Sequence, residues 1–137
     1  YNKYNYEILA TDIDDGILER ARQGAFKEHE IRNVKKSDLN KHFSLQDNLY
    51  RINDDLKKNI KFKKHDLILD NYEKGFHVIV CRNVVIYFKN ETKEEIYRKI
   101  SDSLVKGGIF FIGATESIYN PKEYGLRKLA TFIYEKI

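Results

Sequence analysis

Short apolar runs, each about as long as a β-strand, alternate with amphipathic stretches along the chain. One such run, Phe76–Cys81, predicts a strand that is buried on both faces, as strands of parallel sheets are. It leads directly into Arg82-Asn83 and then into a second apolar run that ends at Tyr87-Phe88. Further strands are predicted at Glu7–Asp12, Ile60–His65 and Ile109–Ile112. Strands separated in this way by amphipathic segments are typical of α/β folds.

The first amphipathic stretch carries signals for both ends of a helix. Asp14 is a predicted N-cap, with Ile13 and Leu18 placed to form a hydrophobic staple across the first turn. Gly24 is the predicted stop, because glycine readily takes the left-handed conformation that ends many helices. A strand followed at once by a helix predicts the front of a β-α-β crossover.

A second helix is predicted after Phe88. It begins at Asn90 or at the capping box Thr92–Glu95, and Lys106-Gly107-Gly108 is its predicted end. Its apolar face is formed by residues four positions apart, namely Ile96, Ile100 and Leu104. Because this helix connects two predicted strands, we expect those strands to be parallel.

Residues 37–62 interrupt the alternation. Ser37 is a candidate cap for a short helix, Gln46-Asp47-Asn48 has the composition of a tight turn, and Leu49–Ile52 alternates like a half-exposed strand. We interpret this stretch as a small inserted β-subdomain with antiparallel strands. At the other end of the chain, Leu126–Leu129 and Thr131–Glu135 predict an antiparallel hairpin.

The predicted fold class is therefore α/β. We expect an open, mostly parallel Rossmann-like sheet with an antiparallel C-terminal hairpin and the small antiparallel insertion. With 137 residues, the chain is long enough for a single domain with its own core, and we assign residues 1–137 to one domain.

Polar residues follow each predicted strand. These residues are Asp12, His65-Asp66, Arg82-Asn83 and Thr115-Glu116-Ser117. Parallel strands place their carboxyl ends on one side of a sheet, and open α/β sheets bind ligands there. The alternative for the acidic residues is a role as helix caps or in solvated loops. Taken together, the four polar tips predict a crevice for a nucleotide-like ligand.

Composition excludes several other classes of site. The four histidines have no spacing typical of a metal site, so we expect no bound metal. The sequence lacks a GxGxxG turn, a P-loop and a GxSxG elbow. The single cysteine, Cys81, cannot form an internal disulfide, which suits a reducing, cytoplasmic location, and we expect a buried packing thiol.

The net charge of +4 is modest, and the densest basic run is Lys57–Lys64. We interpret this run as a solvated strand edge that lysines protect from aggregation. Docking of an acidic partner is the alternative, and nucleic-acid binding is disfavoured. No apolar run approaches the length that spans a bilayer, so we expect no membrane insertion.

Three stretches of the sequence resemble one known family. Ala10–Asp14, with Leu18–Phe26 behind it, resembles the second strand and helix of the CheR-type chemotaxis-receptor glutamate methyltransferases. Cys81–Phe88 resembles the family's most distinctive run, CRNV-x-IYF. Gly107–Ser117 is similar to its later strand and G-x-S/T-E turn. The resemblance covers nearly the whole chain in order.

The resemblance implies methyl transfer from S-adenosylmethionine to glutamate side chains of chemoreceptors. It implies that Asp12 holds the ribose hydroxyls of the cofactor and that Asp66 and Leu67 flank the adenine. Asp66 stands where many relatives have asparagine. Arg82 and Asn83 would border the cofactor and the transfer site, and Tyr87 would lie near the methyl group. For Tyr87 the alternative is core packing beside Phe88, and for Arg82 it is a salt bridge at the sheet's end.

The sequence also departs from this family. An N-terminal helical domain, a first strand and its cofactor-cradling loop are not found here, and the insertion is short around Gln46-Asp47-Asn48. We therefore expect these residues alone to bind the cofactor weakly and to have little activity. An uncovered strand edge predicts self-association. A non-catalytic protein-binding module of the same fold is the alternative function, and a dehydrogenase is disfavoured because a phosphate-binding turn is absent.

Overall fold

The computed structural model describes residues 5–137, which form two compact units divided between Asp66 and Leu67. Each unit is described separately. The strands are β1 Ile8–Asp12, β2 Ala25–Phe26, β3 Phe43–Gln46, β4 Leu49–Ile52, β5 Ile60–Lys64, β6 Phe76–Cys81, β7 Leu104–Ile112, β8 Leu126–Ala130 and β9 Ile133–Lys136. The α-helices are α1 Asp15–Gln23, α2 Lys36–His42, α3 Asp54–Lys57 and α4 Asn90–Ser103.

In the first unit, β1 and β5 form a parallel pair in register from Ile8 opposite Ile60 to Asp12 opposite Lys64. Helix α1 follows β1 and has both predicted ends. The side chain of Asp14 accepts a hydrogen bond from the Ile17 amide at 2.9 Å, which satisfies one of the unpaired donors of the first turn. Gly24 ends the helix in the left-handed conformation, with φ of 58°.

The first unit also contains a separate antiparallel sheet in the order β2-β4-β3. Strands β3 and β4 form a hairpin whose turn residues, Asp47 and Asn48, have φ of 51° and 58°. Aspartate and asparagine tolerate this conformation better than most residues, which explains why the turn forms at the predicted place. Helix α2, however, begins at Lys36 after Lys35, so the prediction that Ser37 caps it is wrong.

The second unit contains a four-stranded sheet in the order β6-β7-β9-β8, in which β6 and β7 are parallel and the other pairs antiparallel. Helix α4 connects the parallel pair. Its buried face packs against the inner face of the sheet. The most buried residues of this core are Val85, Ile96, Ile100, Phe110, Ile112, Leu126 and Tyr134. The parallel strands, the C-terminal hairpin and the antiparallel insertion confirm the predicted α/β class.

Helix α4 ends earlier than predicted. The helix begins at Asn90 and stops at Ser103, and β7 starts at the next residue, so Lys106-Gly107-Gly108 lie in the strand. Leu104 takes an extended conformation and is buried in the core, where a further helical turn would not place it. A Cβ at Gly108 would lie 2.8 Å from the Val105 carbonyl oxygen, so a close backbone approach requires this glycine.

Strand β6 is not buried on both faces, contrary to prediction. Ile79 and Cys81 pack against the core, whereas Val78 and Val80 are 57% and 61% exposed. Among the described strands, β6 pairs with β7 alone. An apolar face and one strand edge are therefore uncovered in the described part of the chain. Self-association through this edge stays a prediction.

The basic run of the first unit is paired with acidic side chains. Lys57 lies 3.1 Å from Asp54, Lys61 lies 2.9 Å from Glu7 and Lys64 lies 2.6 Å from Asp15, each measured from Nζ to the nearest carboxylate oxygen. Such exposed pairs contribute little stability individually. They do lower the net positive charge of this surface, which favours the interpretation of a solvated edge. Within residues 5–137, no helix combines the length and apolar character that crossing a membrane requires.

We predict that Asp14→Ala lowers the free energy of unfolding by about 1 kcal/mol, because the Ile17 amide loses its acceptor. Asp14→Asn is the matched control, since asparagine caps helices about as well as aspartate. Urea unfolding followed by circular dichroism measures both. Equal destabilisation by the two substitutions would contradict the role of the cap.

Candidate active site

Arg82 and Asn83 lie at the carboxyl end of β6, beside the carboxyl end of β7, because Cys81 pairs with Ile112. Asn83 turns the chain out of the strand with a φ of 59°, a left-handed conformation that asparagine adopts more readily than most residues. This turn brings Asn83 against Gly113, the residue that follows β7. A Cβ on Gly113 would lie 2.6 Å from Asn83 Oδ1 and 3.0 Å from the Asn83 backbone nitrogen. The two strand ends therefore fit together only with glycine at 113.

The turn after β7 is closed by Glu116 in two ways. Its backbone amide donates to the Gly113 carbonyl at 3.1 Å, and its carboxylate Oε2 accepts from the Gly113 amide at 2.5 Å. The side chain is only 8% exposed, and its other oxygen, Oε1, is buried without a hydrogen-bond partner in the part of the chain that the structure describes. A buried carboxylate thus lies directly behind the tip of β6.

The guanidinium of Arg82 lies over the ring of Phe111, with its central carbon 5.2 Å from the ring centroid. Arginine favours such contacts, because the ring face is negative and the guanidinium is planar. The residue is exposed, so its hydrogen-bond donors face solvent. The contact directs the side chain over the outer face of the sheet, and no described contact shows the alternative salt bridge.

Tyr87 lies at the end of a short 3-10 helix, Val85–Tyr87, that follows the β6 tip. Val85 is buried and anchors this helix in the core, and Phe88 packs against the same core. Tyr87 itself is 79% exposed, so it does not share the packing of Phe88. Its phenol is available to a ligand on the same unit that carries Arg82.

In the first unit, Asp12 and Asp66 lie at the carboxyl end of the β1–β5 pair. Asp12 ends β1, and the His65 amide donates to the Asp12 carbonyl at 2.9 Å, which extends the pairing to the residue before Asp66. Asp12 Oδ1 accepts from the Asp14 amide at 2.9 Å. This bond fixes the carboxylate at the strand tip, and Asp12 and Asp66 are each only partly buried.

Leu67 opens the second unit, and its side chain packs against the core there. The Tyr72 hydroxyl donates to the Leu67 carbonyl at 2.9 Å, which shapes the loop before β6. Of the predicted site residues, the structure thus brings Arg82 and Asn83 together in the second unit and Asp12 and Asp66 together in the first. The sequence pattern marked Glu116 as a polar tip but gave no sign that it is buried, because its hydrogen bond depends on the turn.

Burial perturbs two groups near this turn. Desolvation, with a smaller contribution from the Glu116 carboxylate, raises the pKa of the Cys81 thiol to about 11. The same two causes, in the same order and ahead of smaller ones, raise the pKa of Tyr97 to about 12. Both groups stay protonated at neutral pH, so neither is suited to act as a nucleophile or a base. Within residues 5–137, no cluster of three or more His, Cys, Asp or Glu side chains could hold a metal ion.

Taken unit by unit, the side chains at these strand tips suit separate parts of S-adenosylmethionine. A carboxylate such as that of Asp12, held by a backbone amide at the end of a parallel strand, is the kind of acceptor that ribose hydroxyls need. An apolar side chain such as Leu67 suits the face of adenine. At the β6 tip, Asn83 adds an amide with both donor and acceptor atoms. No described contact conflicts with these roles.

Comparison with known proteins gives a consistent result. The family model described as "CheR methyltransferase, SAM binding domain" matches residues 1–133. The chain is 44% identical over 132 residues to the chemotaxis protein methyltransferase of Listeria innocua, covering 96% of this chain and 50% of that protein. It is 43% identical to that of Listeria monocytogenes, with the same coverage, and 36% identical over 118 residues to chemotaxis protein methyltransferase 2 of Vibrio cholerae, covering 82% and 40%.

These matches confirm the family that the sequence resembles and S-adenosylmethionine as its cofactor. The chain spans about half the length of the curated relatives it matches. The roles of the individual site residues stay predictions.

We predict that Cys81 reacts slowly with iodoacetamide at pH 8, because its raised pKa of about 11 leaves little thiolate. The rate should still be rising between pH 9 and pH 10, and unfolding in urea should bring it to that of a free thiol. Mass spectrometry of the alkylated protein measures the rate. A plateau near pH 9 in the folded protein would contradict the expected pKa.

Proposed function

Because the chain belongs to the family of CheR methyltransferase SAM-binding domains, we propose that it forms part of an enzyme that methylates glutamate side chains of chemoreceptors. S-adenosylmethionine supplies the methyl group, on a positively charged sulfur. The observation that carries the proposal is the tip of β6, where Arg82 lies exposed over Phe111 and Asn83 is fixed against Gly113. The relatives are chemotaxis protein methyltransferases, which gives the link to chemotaxis, and the acceptor residue is our inference.

The proposed reaction needs alignment more than it needs a base. A glutamate side chain has a pKa of about 4.3 and is already ionised at neutral pH, so its oxygen attacks without losing a proton. Holding the carboxylate oxygen, the methyl carbon and the sulfur in line supplies the rate enhancement. This fits a site whose nearby thiol, Cys81, stays protonated.

We assign the orientation of the acceptor to Arg82. Its guanidinium can donate charge-assisted hydrogen bonds to one carboxylate oxygen. Because the side chain is already oriented by stacking on Phe111, it loses less conformational freedom when it binds the acceptor. A contact to one oxygen leaves the other free to attack. We assign to Tyr87, whose side chain is exposed, a hydroxyl contact with the acceptor or the methyl group.

We also propose roles in cofactor binding for residues of each unit, taken separately. In the first unit, we assign to Asp12 the hydrogen bonds from the ribose hydroxyls and to Asp66, at the same end of the β1–β5 pair, a position beside the adenine. In the second, Leu67 contributes an apolar surface for the adenine, and Asn83 hydrogen-bonds the cofactor from the β6 tip. We place the reaction in the cytoplasm, in keeping with the single reduced thiol.

A chimaera tests this function. The matched half of the Listeria innocua relative is replaced by this chain, and transfer of tritiated methyl groups to a chemoreceptor fragment is measured as base-labile methanol. We expect transfer by the chimaera, and a loss of at least about 100-fold with Arg82→Ala, because a misplaced acceptor loses the proximity effect. Arg82→Lys should restore little, since lysine lacks the planar fork.

Arg98→Ala is the matched control. Arg98 also lies 5.2 Å from an aromatic centroid, that of Tyr124, but it belongs to α4 and not to a strand tip. We expect it to leave transfer unchanged. A receptor whose acceptor glutamates are replaced by glutamine should accept no methyl groups. Cofactor binding without any transfer, while the intact relative is active, would favour the non-catalytic binding module instead.

We predict that the chain alone binds S-adenosylhomocysteine at least about tenfold more weakly than the chimaera does, a difference of about 1.4 kcal/mol. The physical reason is that β6 has one uncovered edge and exposed Val78 and Val80 in the described structure, so a ligand meets a partly open site. Isothermal titration calorimetry of both proteins measures the difference. Equal affinities would overturn the prediction.

A further inference from the structure

The carboxylate of Glu116 has no role in the reaction described above, yet it is buried behind the β6 tip. Its side chain is 8% exposed, and only Oε2 has a described hydrogen bond, to the Gly113 amide at 2.5 Å. Burying a carboxylate is costly unless hydrogen bonds compensate it, and an unsatisfied buried oxygen adds to that cost. A residue kept at such a cost calls for an explanation in terms of what it holds in place.

Glu116 holds Gly113, and Gly113 is in contact with Asn83. The amide of Gly113 is fixed by the carboxylate, and its carbonyl is fixed by the Glu116 amide at 3.1 Å. The point where a Gly113 side chain would begin lies 2.6 Å from Asn83 Oδ1, 2.7 Å from Glu116 Oε2 and 3.0 Å from the Asn83 backbone nitrogen. Because Asn83 and the Glu116 carboxylate both crowd this glycine, we expect a change in the position of Gly113 to reach Asn83.

Asn83 in turn sets the course of the chain at the site. Its φ of 59° is a conformation that costs energy for a residue with a side chain, so the surrounding structure must hold it. Arg82 precedes it directly and lies over Phe111, on the strand that ends at Ile112, just before Gly113. The turn of residues 113–116 is thus the support against which this dipeptide is held.

We propose that Glu116 is a positioning residue for the cofactor: its carboxylate fixes Gly113, which holds Asn83 and Arg82 in the conformation that binds the ligand. The proposal rests on the proposed function, in which Asn83 and Arg82 border the cofactor. The length of the Glu116 side chain, which brings an oxygen to the Gly113 amide, matters more for this role than its charge does. Glu116 touches neither the cofactor nor the acceptor.

Two substitutions separate reach from charge. Glu116→Asp keeps the charge but withdraws the carboxylate from the Gly113 amide by one methylene. Glu116→Gln removes the charge but keeps an oxygen at the same reach. Glu95→Asp, on the exposed face of α4, is the matched control for shortening a glutamate. Unshifted amide resonances of the core residues Phe110 and Tyr134 verify that each variant is folded.

The measurement uses the nitrogen-15-labelled chain and NMR, so it needs no catalytic activity. An amide that donates to a carboxylate at 2.5 Å has a strongly downfield proton resonance. We expect Glu116→Asp to move the resonances of Gly113 and Asn83 in the free protein. It should also lower the affinity for S-adenosylhomocysteine, measured in a chemical-shift titration, by roughly tenfold. Glu116→Gln should keep the Asn83 resonance and stay within about threefold of the original affinity, and Glu95→Asp should change neither.

The possible failures are distinguishable. If Glu116→Asp moves Gly113 but leaves Asn83 and the affinity unchanged, Glu116 is a purely structural residue and the proposal is wrong. Loss of affinity in Glu116→Gln equal to that in Glu116→Asp would show that charge, and not reach, is decisive, which also overturns it. If the original chain shows no ligand-induced shift at Arg82 or Asn83, the proposed cofactor site fails, whereas the Gly113–Asn83 coupling is still read in the free protein.

Discussion

The parallel pairing of β6 with β7 is the constraint on which the rest of the second unit depends. It sets Cys81 beside Ile112, so that the residues that follow the two strands lie next to each other at the carboxyl end of the sheet. Helix α4 must cross back over the sheet to make the pairing possible, and its buried face supplies the core. The polar side chains proposed to act on substrate and cofactor are therefore placed by an arrangement of apolar residues.

The two faces of this sheet have different environments. One face packs against α4 and excludes water, which raises the pKa of Cys81 and Tyr97. The other carries Val78, Val80 and the ring of Phe111 under Arg82, and it is much more open. A cation stacked on a ring at the border of an apolar face is partly desolvated on one side only. Contact with the ring therefore orients the guanidinium, while its other side faces solvent.

Local signals in the sequence were sufficient for much of the fold. Asp14 and Gly24 mark the ends of α1 because capping depends on a few neighbouring residues, and Asp47-Asn48 marks a hairpin because two left-handed residues fit its turn. Features that depend on distant partners were less accessible. The end of α4 is set by burial of Leu104 against the sheet, and the exposure of Val78 and Val80 depends on which strands and helices cover them.

The candidate site follows the same division. Apolar runs that end in Arg82-Asn83 and in the Gly113–Ser117 turn were enough to predict that these two polar tips meet, because the parallel strands β6 and β7 have their carboxyl ends side by side. The burial of Glu116 could not be predicted from that pattern. It depends on a side chain reaching back three residues to an amide, and on a glycine whose missing Cβ makes room for a neighbouring strand's turn.

The contact between Gly113 and Asn83 has a consequence for how the chain tolerates mutation. Position 83 requires a residue that accepts a positive φ, which leaves glycine, aspartate and asparagine as the readily accepted side chains, and position 113 accepts no Cβ unless position 83 moves. Backbone geometry therefore restricts which amino-acid substitutions either position accepts. A descendant without the proposed methyl transfer would still be under selection to keep both residues in order to fold. Their retention in a distant homologue is therefore a sign of a preserved backbone, whereas retention of Arg82, which folding does not require in the same way, is the better sign of a preserved reaction.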